Sequence, residues 1–223
     1  MIWITGDKHG QIEPFLKNPA YKKIKKSDTL LICGDFGFLW NESKEEIKNL
    51  KWLSKRKFKI AFVEGCYDNQ QILAKYPLTN WNGGRARLIF ENIIHLINGE
   101  FYYIENRKVL AFGGGFNNIT NQIKHNENNL TQNIPLHSQI DTLIENIKKA
   151  NQEFDLIISH EAPSAVAPCL ETNEFHCNCI NKILEEIRTH AKFHDWFFGK
   201  YHVDKVIPPK YHAIFENVVK FEK

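Results

Sequence analysis

The sequence predicts an α/β fold in which two packed β-sheets are flanked by helices. Five short apolar runs, rich in Ile, Phe and Trp, are typical of strands that are buried on both faces. These runs cover residues 2–5, 29–33, 60–63, 156–159 and 196–198. Amphipathic helical patterns lie between the runs, and other segments alternate as antiparallel strands do. A single domain over residues 1–223 can contain both the β-α units and the antiparallel strands.

Three helices are predicted from start signals and apolar spacing. Ser43 followed by Glu46 forms a capping-box pattern, and Ser138 followed by Asp141 is similar. The side chains predicted to cover a sheet are Ile47, Leu50 and Leu53, then Leu143, Ile144 and Ile147, then Ile180, Ile183, Leu184 and Ile187.

Turn residues separate the segments in which apolar and polar residues alternate. We predict a meander over residues 93–97, 100–104 and 107–112, and a hairpin over 211–215 and 218–221. The Asn-rich segment 117–133 is predicted to be a surface loop, either a functional lid or a tolerated insertion.

Composition and charge exclude several classes of function. The chain holds 29 Lys and Arg against 26 Asp and Glu, so its net charge of +3 favours neither nucleic acid nor a membrane surface as a partner. No apolar run approaches the roughly 20 residues of a membrane-spanning helix, and the start has no secretory pattern. Five cysteines do not indicate a disulfide framework. We expect a cytoplasmic protein of unspecified oligomeric state.

An aspartate or a histidine follows each of the five apolar runs. In chain order the segments are Gly6-Asp7-Lys8-His9-Gly10, Gly34-Asp35, Gly65-Cys66-Tyr67-Asp68-Asn69, His160-Glu161-Ala162-Pro163 and Gly199-Lys200-Tyr201-His202-Val203-Asp204. Ligands bind at the carboxyl ends of strands in α/β sheets because loops converge there. Carboxylates gathered in such a crevice repel one another, and a divalent cation removes that penalty.

The residue types narrow the choice of ion. Carboxylate oxygens combined with imidazole nitrogens suit Mn, Fe, Zn or Co better than Ca or Mg. Asp7 and His9 are two residues apart and can reach one ion from the loop after a strand. Each motif alone has an ordinary structural interpretation, since Gly-Asp commonly forms a turn. The five together favour a metal site.

The ordered motifs resemble those of the calcineurin-like metallophosphoesterase superfamily, above all its small bacterial and phage members. The resemblance extends from Trp3 to Asp204 and implies a four-layer α-β-β-α sandwich with a two-metal site at one edge of the sheets. It implies that a first metal takes Asp7, His9, Asp35 and His202. It also implies that Asp35 bridges to a second metal, which takes His160.

Three positions depart from the family pattern, and all lie in the second half of the site. Cys66 replaces an Asn ligand, Tyr67 replaces the catalytic His, and Lys200 replaces the first His of the last motif, while Asp68 is retained. A protonated Lys cannot ligate a metal, and its ammonium can instead take part of the second ion's place beside Asp35. We therefore predict one divalent ion, Mn, Fe or Zn, and leave a second ion with Cys66 as ligand open.

Two functions remain open at this point. The first is a metal-dependent phosphoesterase that hydrolyses a mono- or diester of a small phosphorylated substrate through an ion-bound water, with Asp68, Tyr67 and Lys200 as catalytic residues. The second is a catalytically impaired member of the family that binds a ligand or a protein. A redox-sensitive site at Cys66 is a third, weaker interpretation.

Two other motifs carry weak signals. His176-Cys177-Asn178-Cys179, with Cys169 nearby, hints at a zinc knuckle, but the spacing is wrong and no second pair exists. Gly113-Gly114-Gly115 is predicted to be a tight loop bordering the metal crevice rather than a phosphate cradle.

Overall fold

The computed structural model describes residues 1–115, 133–170 and 175–222, and the segment 117–132 of the predicted loop lies outside them. Within these residues there are two mixed β-sheets. The strands are β1 (Ile2–Thr5), β2 (Thr29–Ile32), β3 (Lys59–Phe62), β4 (Leu78–Trp81), β5 (Gly84–Phe90), β6 (Ile93–Leu96), β7 (Phe101–Ile104), β8 (Arg107–Phe112), β9 (Glu153–Ser159), β10 (Lys192–Phe198), β11 (Lys205–Ile207), β12 (Tyr211–Ala213) and β13 (Val219–Lys220).

The strand order places the five predicted apolar runs in the middle of the sheets. In the described residues, the first sheet has the order β13-β1-β2-β3-β6-β5-β4 and the second β11-β12-β10-β9-β8-β7. β1, β2 and β3 are parallel neighbours, as are β9 and β10. All five runs were predicted as buried strands, and that prediction is confirmed.

Helices cover the outer faces of both sheets. They are α1 (Glu13–Lys17), α2 (Ala20–Lys23), α3 (Lys44–Leu53), α4 (Gln70–Leu73), α5 (His137–Lys149) and α6 (Cys179–His190), with a short 3₁₀ helix at Ala167–Cys169. In the part of the chain that is described, no helix combines the length and apolarity that a bilayer crossing requires.

Three apolar layers separate the four layers of secondary structure. Leu31, Ile94 and Leu156 belong to the layer between the two sheets. Leu53 of α3 packs with Phe62 under the first sheet, and helices α5 and α6 pack on the second sheet around Trp196. The molecule is therefore the four-layer α-β-β-α sandwich that the sequence analysis expected.

The helix start signals were right at Ser43 and wrong at Ser138. The Ser43 hydroxyl accepts the N–H of Glu46 and caps the helix, although the Ser43 N–H donates to Asn41 and not to Glu46, so only half of a capping box forms. Helix α5 begins one residue before Ser138, because the Gln139 side chain accepts the N–H of Leu136 there. Two residues of the predicted apolar stripes, Ile47 and Ile144, are more than 40% exposed.

The predicted pairing of 93–97 with 100–104 and of 211–215 with 218–221 is wrong, whereas the second pair of the predicted meander, β7 with β8, is antiparallel as predicted. β6 belongs to the first sheet and β7 to the second, so the turn at Gly99 carries the chain between layers. β12 and β13 likewise lie in different sheets, and the Asp204 carboxylate accepts the N–H groups of residues 215–217 at that crossing. The hairpin of β4 and β5, with its Asn82-Gly83 turn, was missed although the turn signal is present.

Candidate metal centre

The polar residues that follow the strands converge at one edge of the two sheets. Parallel neighbours end at the same edge, so the loops after β1, β2 and β3 meet those after β9 and β10. The chain turns sharply there, and Asp35, His9, Lys200 and His202 have φ between 45° and 69°. This left-handed conformation costs about 1–2 kcal/mol for a residue other than glycine, so the surrounding contacts must hold it.

His160 lies between two carboxylates at the centre of this edge. Its Nδ1 is 3.3 Å from Asp7 Oδ1, and its Nε2 is 3.5 Å from Asp35 Oδ1. All three side chains are buried. Among the described residues, His160 Nε2 has no hydrogen-bond partner, which leaves a buried nitrogen available to a ligand.

The charges of Asp7, Asp35 and His160 lower the pKa of Asp7 and raise the pKa of His160. Burial alone would raise the pKa of Asp7, but the hydrogen bond and charge of His160 outweigh it and hold the pKa below its usual value. Burial opposes the charged form of His160, yet the charge of Asp35 and the bond to Asp7 hold the His160 pKa well above the ordinary value.

Two further imidazoles close the solvent side of the edge. The Nε2 atoms of His9 and His202 are 3.1 Å apart. His9 Nδ1 is 3.9 Å from Asp35 Oδ2, and His202 Nε2 is 3.9 Å from Asp7 Oδ2. The ring of His202 stacks on Phe215 at 4.7 Å, which fixes the plane of the imidazole.

Cys66 joins Asp35 and His160 in a compact group. Of the described residues, these three form the one set of His, Cys, Asp or Glu whose ligand atoms all lie within 4.8 Å of one another. Glycines make the close approach possible. A Cβ on Gly34 would lie 2.2 Å from His160 Nδ1, and one on Gly65 would lie 2.2 Å from Asp35 Oδ1.

The donor set fits a divalent transition metal. The buried carboxylates of Asp7 and Asp35 face the imidazole nitrogens of His202 and His9, and this combination of oxygen and nitrogen donors suits such an ion. The structure brings the six side chains that were predicted as ligands together at this edge, namely Asp7, His9, Asp35, Cys66, His160 and His202.

A family model described as calcineurin-like phosphoesterase matches residues 1–207 of this chain. The chain belongs to the calcineurin-like phosphoesterase family. No curated protein matches it. This membership places the chain among the metal-dependent phosphoesterases in general. It agrees with the resemblance that the motifs indicated.

Lys200 distinguishes this calcineurin-like phosphoesterase from the pattern of its family. Its backbone N–H donates to both oxygens of Asp7, at 3.2 and 3.0 Å. Its ammonium lies 3.1 Å from Cys66 Sγ and 3.3 Å from Glu161 Oε1. Burial would lower the pKa of Lys200, but the neighbouring Cys66 and Glu161 raise it, so the side chain is a cation.

Tyr67 and Asp68 occupy different environments. Tyr67 is 39% exposed and its ring meets the edge of His9 at 5.2 Å, while its backbone N–H donates to Asp35 Oδ1 at 2.8 Å. The Asp68 carboxylate is buried and accepts the backbone N–H groups of Phe36, Gly37 and Gly65 at 2.8–3.1 Å. Asp68 thus joins the loops that carry Asp35 and Cys66. Burial and the charge of Asp35 raise the Asp68 pKa to about 7.

Three residues of the site were not singled out from the sequence. Glu161 and Lys8 are polar residues beside predicted ligands, and only their burial, 2% and 3% exposed, sets them apart. The Lys8 ammonium donates to the carbonyl of Phe215 at 3.0 Å, and burial lowers the Lys8 pKa to about 8. Asn133, at the end of the predicted loop, donates to the carbonyl of Cys66 at 2.9 Å.

The structure supports the prediction for the glycine loop 113–115 but not the zinc knuckle at 176–179. A Cβ on Gly115 would lie 2.4 Å from Cys66 Sγ and 2.9 Å from His160 Cδ2, so the glycine loop does border the crevice as predicted. Cys177 and Cys179 are exposed free thiols outside the compact ligand group of the described residues, which gives no support to a zinc knuckle.

Proposed function

We propose that this calcineurin-like phosphoesterase hydrolyses a phosphate mono- or diester of a small molecule, with one divalent ion held by Asp7, His9, Asp35 and His202. The observation that carries the proposal is the convergence of two buried carboxylates with imidazole nitrogens at one sheet edge. Carboxylates are costly to bury together unless a cation balances them.

When bound, such an ion polarises a phosphoryl oxygen and lowers the pKa of a water molecule. The residues of the chain supply the positioning. The N–H groups of Lys200 and Tyr67 fix the oxygens of Asp7 and Asp35, and Asp68 holds the loops that carry Asp35 and Cys66. We assign Asp68 a positioning role, because its two oxygens face backbone N–H groups.

The substrate would enter beside His9 and Tyr67. A cavity of about 300 Å³ opens there, with Trp40 and Asn49 also in its wall. We expect the Tyr67 hydroxyl to donate a hydrogen bond to the leaving oxygen and the Lys200 ammonium to balance charge on the phosphoryl oxygens. A phenol is a weaker proton shuttle than an imidazole at neutral pH. We therefore expect slow turnover, since a missing general acid costs about 10²–10⁴ in rate.

The test is hydrolysis of aryl phosphate mono- and diesters with added Mn²⁺. Wild-type protein should release phenolate, and Asp35→Asn should lower kcat at least 100-fold, because Asp35 faces both His9 and His160. Asp141→Asn makes the same chemical change on the exposed surface of α5 and should leave the rate unchanged. No turnover across substrates and metals, or full activity in Asp35→Asn, would contradict the proposal.

One observation favours the second candidate, a binding protein without turnover. The Lys200 ammonium contacts Cys66 in the half of the site where the family places a second metal. On this hypothesis the triple variant Cys66→Asn, Tyr67→His and Lys200→His creates an activity that the parent lacks. A parent that already hydrolyses esters efficiently would eliminate it.

A further inference from the structure

Glu161 is a buried carboxylate whose charge is balanced from within the chain. It is 2% exposed, and its Oε2 accepts the side-chain amides of Asn178 and Asn181 at 2.8 and 3.0 Å. Its Oε1 lies 3.3 Å from the Lys200 ammonium. A buried carboxylate requires hydrogen bonds and a counter-charge, and the two amides hold this one rigidly while Lys200 supplies the positive charge.

The same ammonium also contacts a candidate metal ligand. Lys200 Nζ is 3.1 Å from Cys66 Sγ, and this sulfur is one corner of the compact group formed with Asp35 and His160. A metal ion bound to the group would need the sulfur as a thiolate and would lie close to the ammonium. Two cations at that separation repel each other strongly in a buried site, so ammonium and metal compete for one place.

We infer that Lys200, held by Glu161, is a resident cation that keeps a metal ion out of the Asp35–Cys66–His160 group. The centre then binds one divalent ion instead of two, and Glu161 is a positioning residue that acts through Lys200. The inference rests on the proposed function only in taking this edge of the sheets as a metal centre. It adds a positioning role for Glu161 and gives the physical reason why the centre binds a single ion.

The experiment counts cobalt ions on metal-free protein kept reduced. Co²⁺ bound by a thiolate absorbs in the near ultraviolet, so the spectrum reports whether Cys66 is a ligand, independently of turnover. Wild-type protein should bind one Co²⁺ without the sulfur band. Lys200→Met should bind two and show the band, as the Cys66 thiol gives up its proton to solvent and bonds to the ion.

Matched variants separate charge from fold. Lys200→Arg keeps the cation and should bind one Co²⁺ without the band. Lys192→Met removes an exposed lysine from the strand that leads to the site and should behave as wild type. Lys200→Met combined with Cys66→Ser should lose the band.

Glu161→Gln tests the positioning role. The amide cannot balance the ammonium, so Lys200 is held less firmly and a second Co²⁺ should bind at least tenfold more tightly than to wild-type protein. If Glu161 served the fold alone, the variant would unfold at a lower temperature and the cobalt count would stay at one with no band.

Several results would overturn the inference. Wild-type protein that binds two Co²⁺ with the sulfur band, or none, contradicts it, and so does Lys200→Met protein that binds one without the band. The count also separates this inference from the proposed function. Protein that binds one Co²⁺ and hydrolyses no ester supports the resident cation and contradicts the phosphoesterase proposal.

Discussion

Asn98 offers a sharp test of the buried polar network beneath the metal centre. It is 1% exposed, and its amide nitrogen donates to Glu64 Oε1 at 2.9 Å. Its oxygen accepts the N–H of Gly113, and Glu64 also contacts His95. Asn98→Asp preserves the shape of the side chain and the hydrogen bond from Gly113. It replaces the amide that donates to Glu64 by a carboxylate oxygen, which repels the Glu64 carboxylate.

The magnitude follows from the 2.9 Å distance that the new pair of oxygens would inherit. Two charges so close repel by about 6 kcal/mol at an effective dielectric constant of 20, and the lost bond to a charged acceptor is worth about 1.5–3 kcal/mol. A shared proton relieves part of this cost, so we expect a loss of about 4 kcal/mol in the free energy of unfolding at pH 8. For a chain of this size that lowers Tm by about 8–16 °C.

Urea unfolding at pH 8 and at pH 4.5 measures the effect. In Asn98→Asp protein the repulsion between the two carboxylates should raise the pKa of the pair above its unfolded value, so stability is present at low pH and lost as pH rises through the raised value. The deficit at pH 4.5 should therefore shrink to about 1 kcal/mol. Asn80→Asp, on exposed β4, should change stability by less than about 0.5 kcal/mol at either pH. Equal deficits for Asn98→Asp at both pH values would refute the reasoning.

Two further predictions concern the ligands themselves. In metal-free protein, the raised pKa of His160 means that its contribution to stability is complete below the unfolded value near 6.5 and is lost as pH rises through the folded value. His160→Gln should flatten that dependence in thermal melts with EDTA, and an unchanged slope would show that another group titrates. Gly65→Ala would place a Cβ 2.2 Å from Asp35 Oδ1 and 2.3 Å from the Asp35 N. It should weaken Mn²⁺ binding at least tenfold in a titration, and unaltered affinity would mean that the loop gives way freely.

The strands were predictable because burial on both faces leaves a continuous apolar run, and the edge where they end then predicts where the polar residues meet. Sheet membership was not predictable. Asn98-Gly99 has the sequence of a hairpin turn, but a Cβ on Gly99 would lie 2.6 Å from the carbonyl of Gln139. The glycine thus serves the close approach of α5, a tertiary contact that local turn preferences do not contain.

The candidate ligands could be proposed from sequence because each lies within four residues of the end of a strand. Glu161 and Lys8 follow the same strands and have ordinary residue types, and their parts depend on burial and on partners far away in the chain. Glu161 meets Asn178 and Asn181 across 17 and 20 residues, and Lys8 meets Phe215 across 207. Pairings at such separation leave no periodic trace in the sequence.

The pairing of β13 with β1 joins opposite ends of the chain, since Trp3 lies beside Lys220 and Ile4 beside Val219. Because synthesis proceeds from the amino end, β1 leaves the ribosome well before β13, and its outer edge stays open until β13 has been made. The backbone N–H of Lys200 that fixes Asp7 also arrives long after Asp7 itself. The nascent chain therefore acquires this sheet edge and its anchored Asp7 carboxylate only after residues 200–220 have emerged, and until then the outer edge of β1 offers unpaired backbone groups to any neighbouring strand.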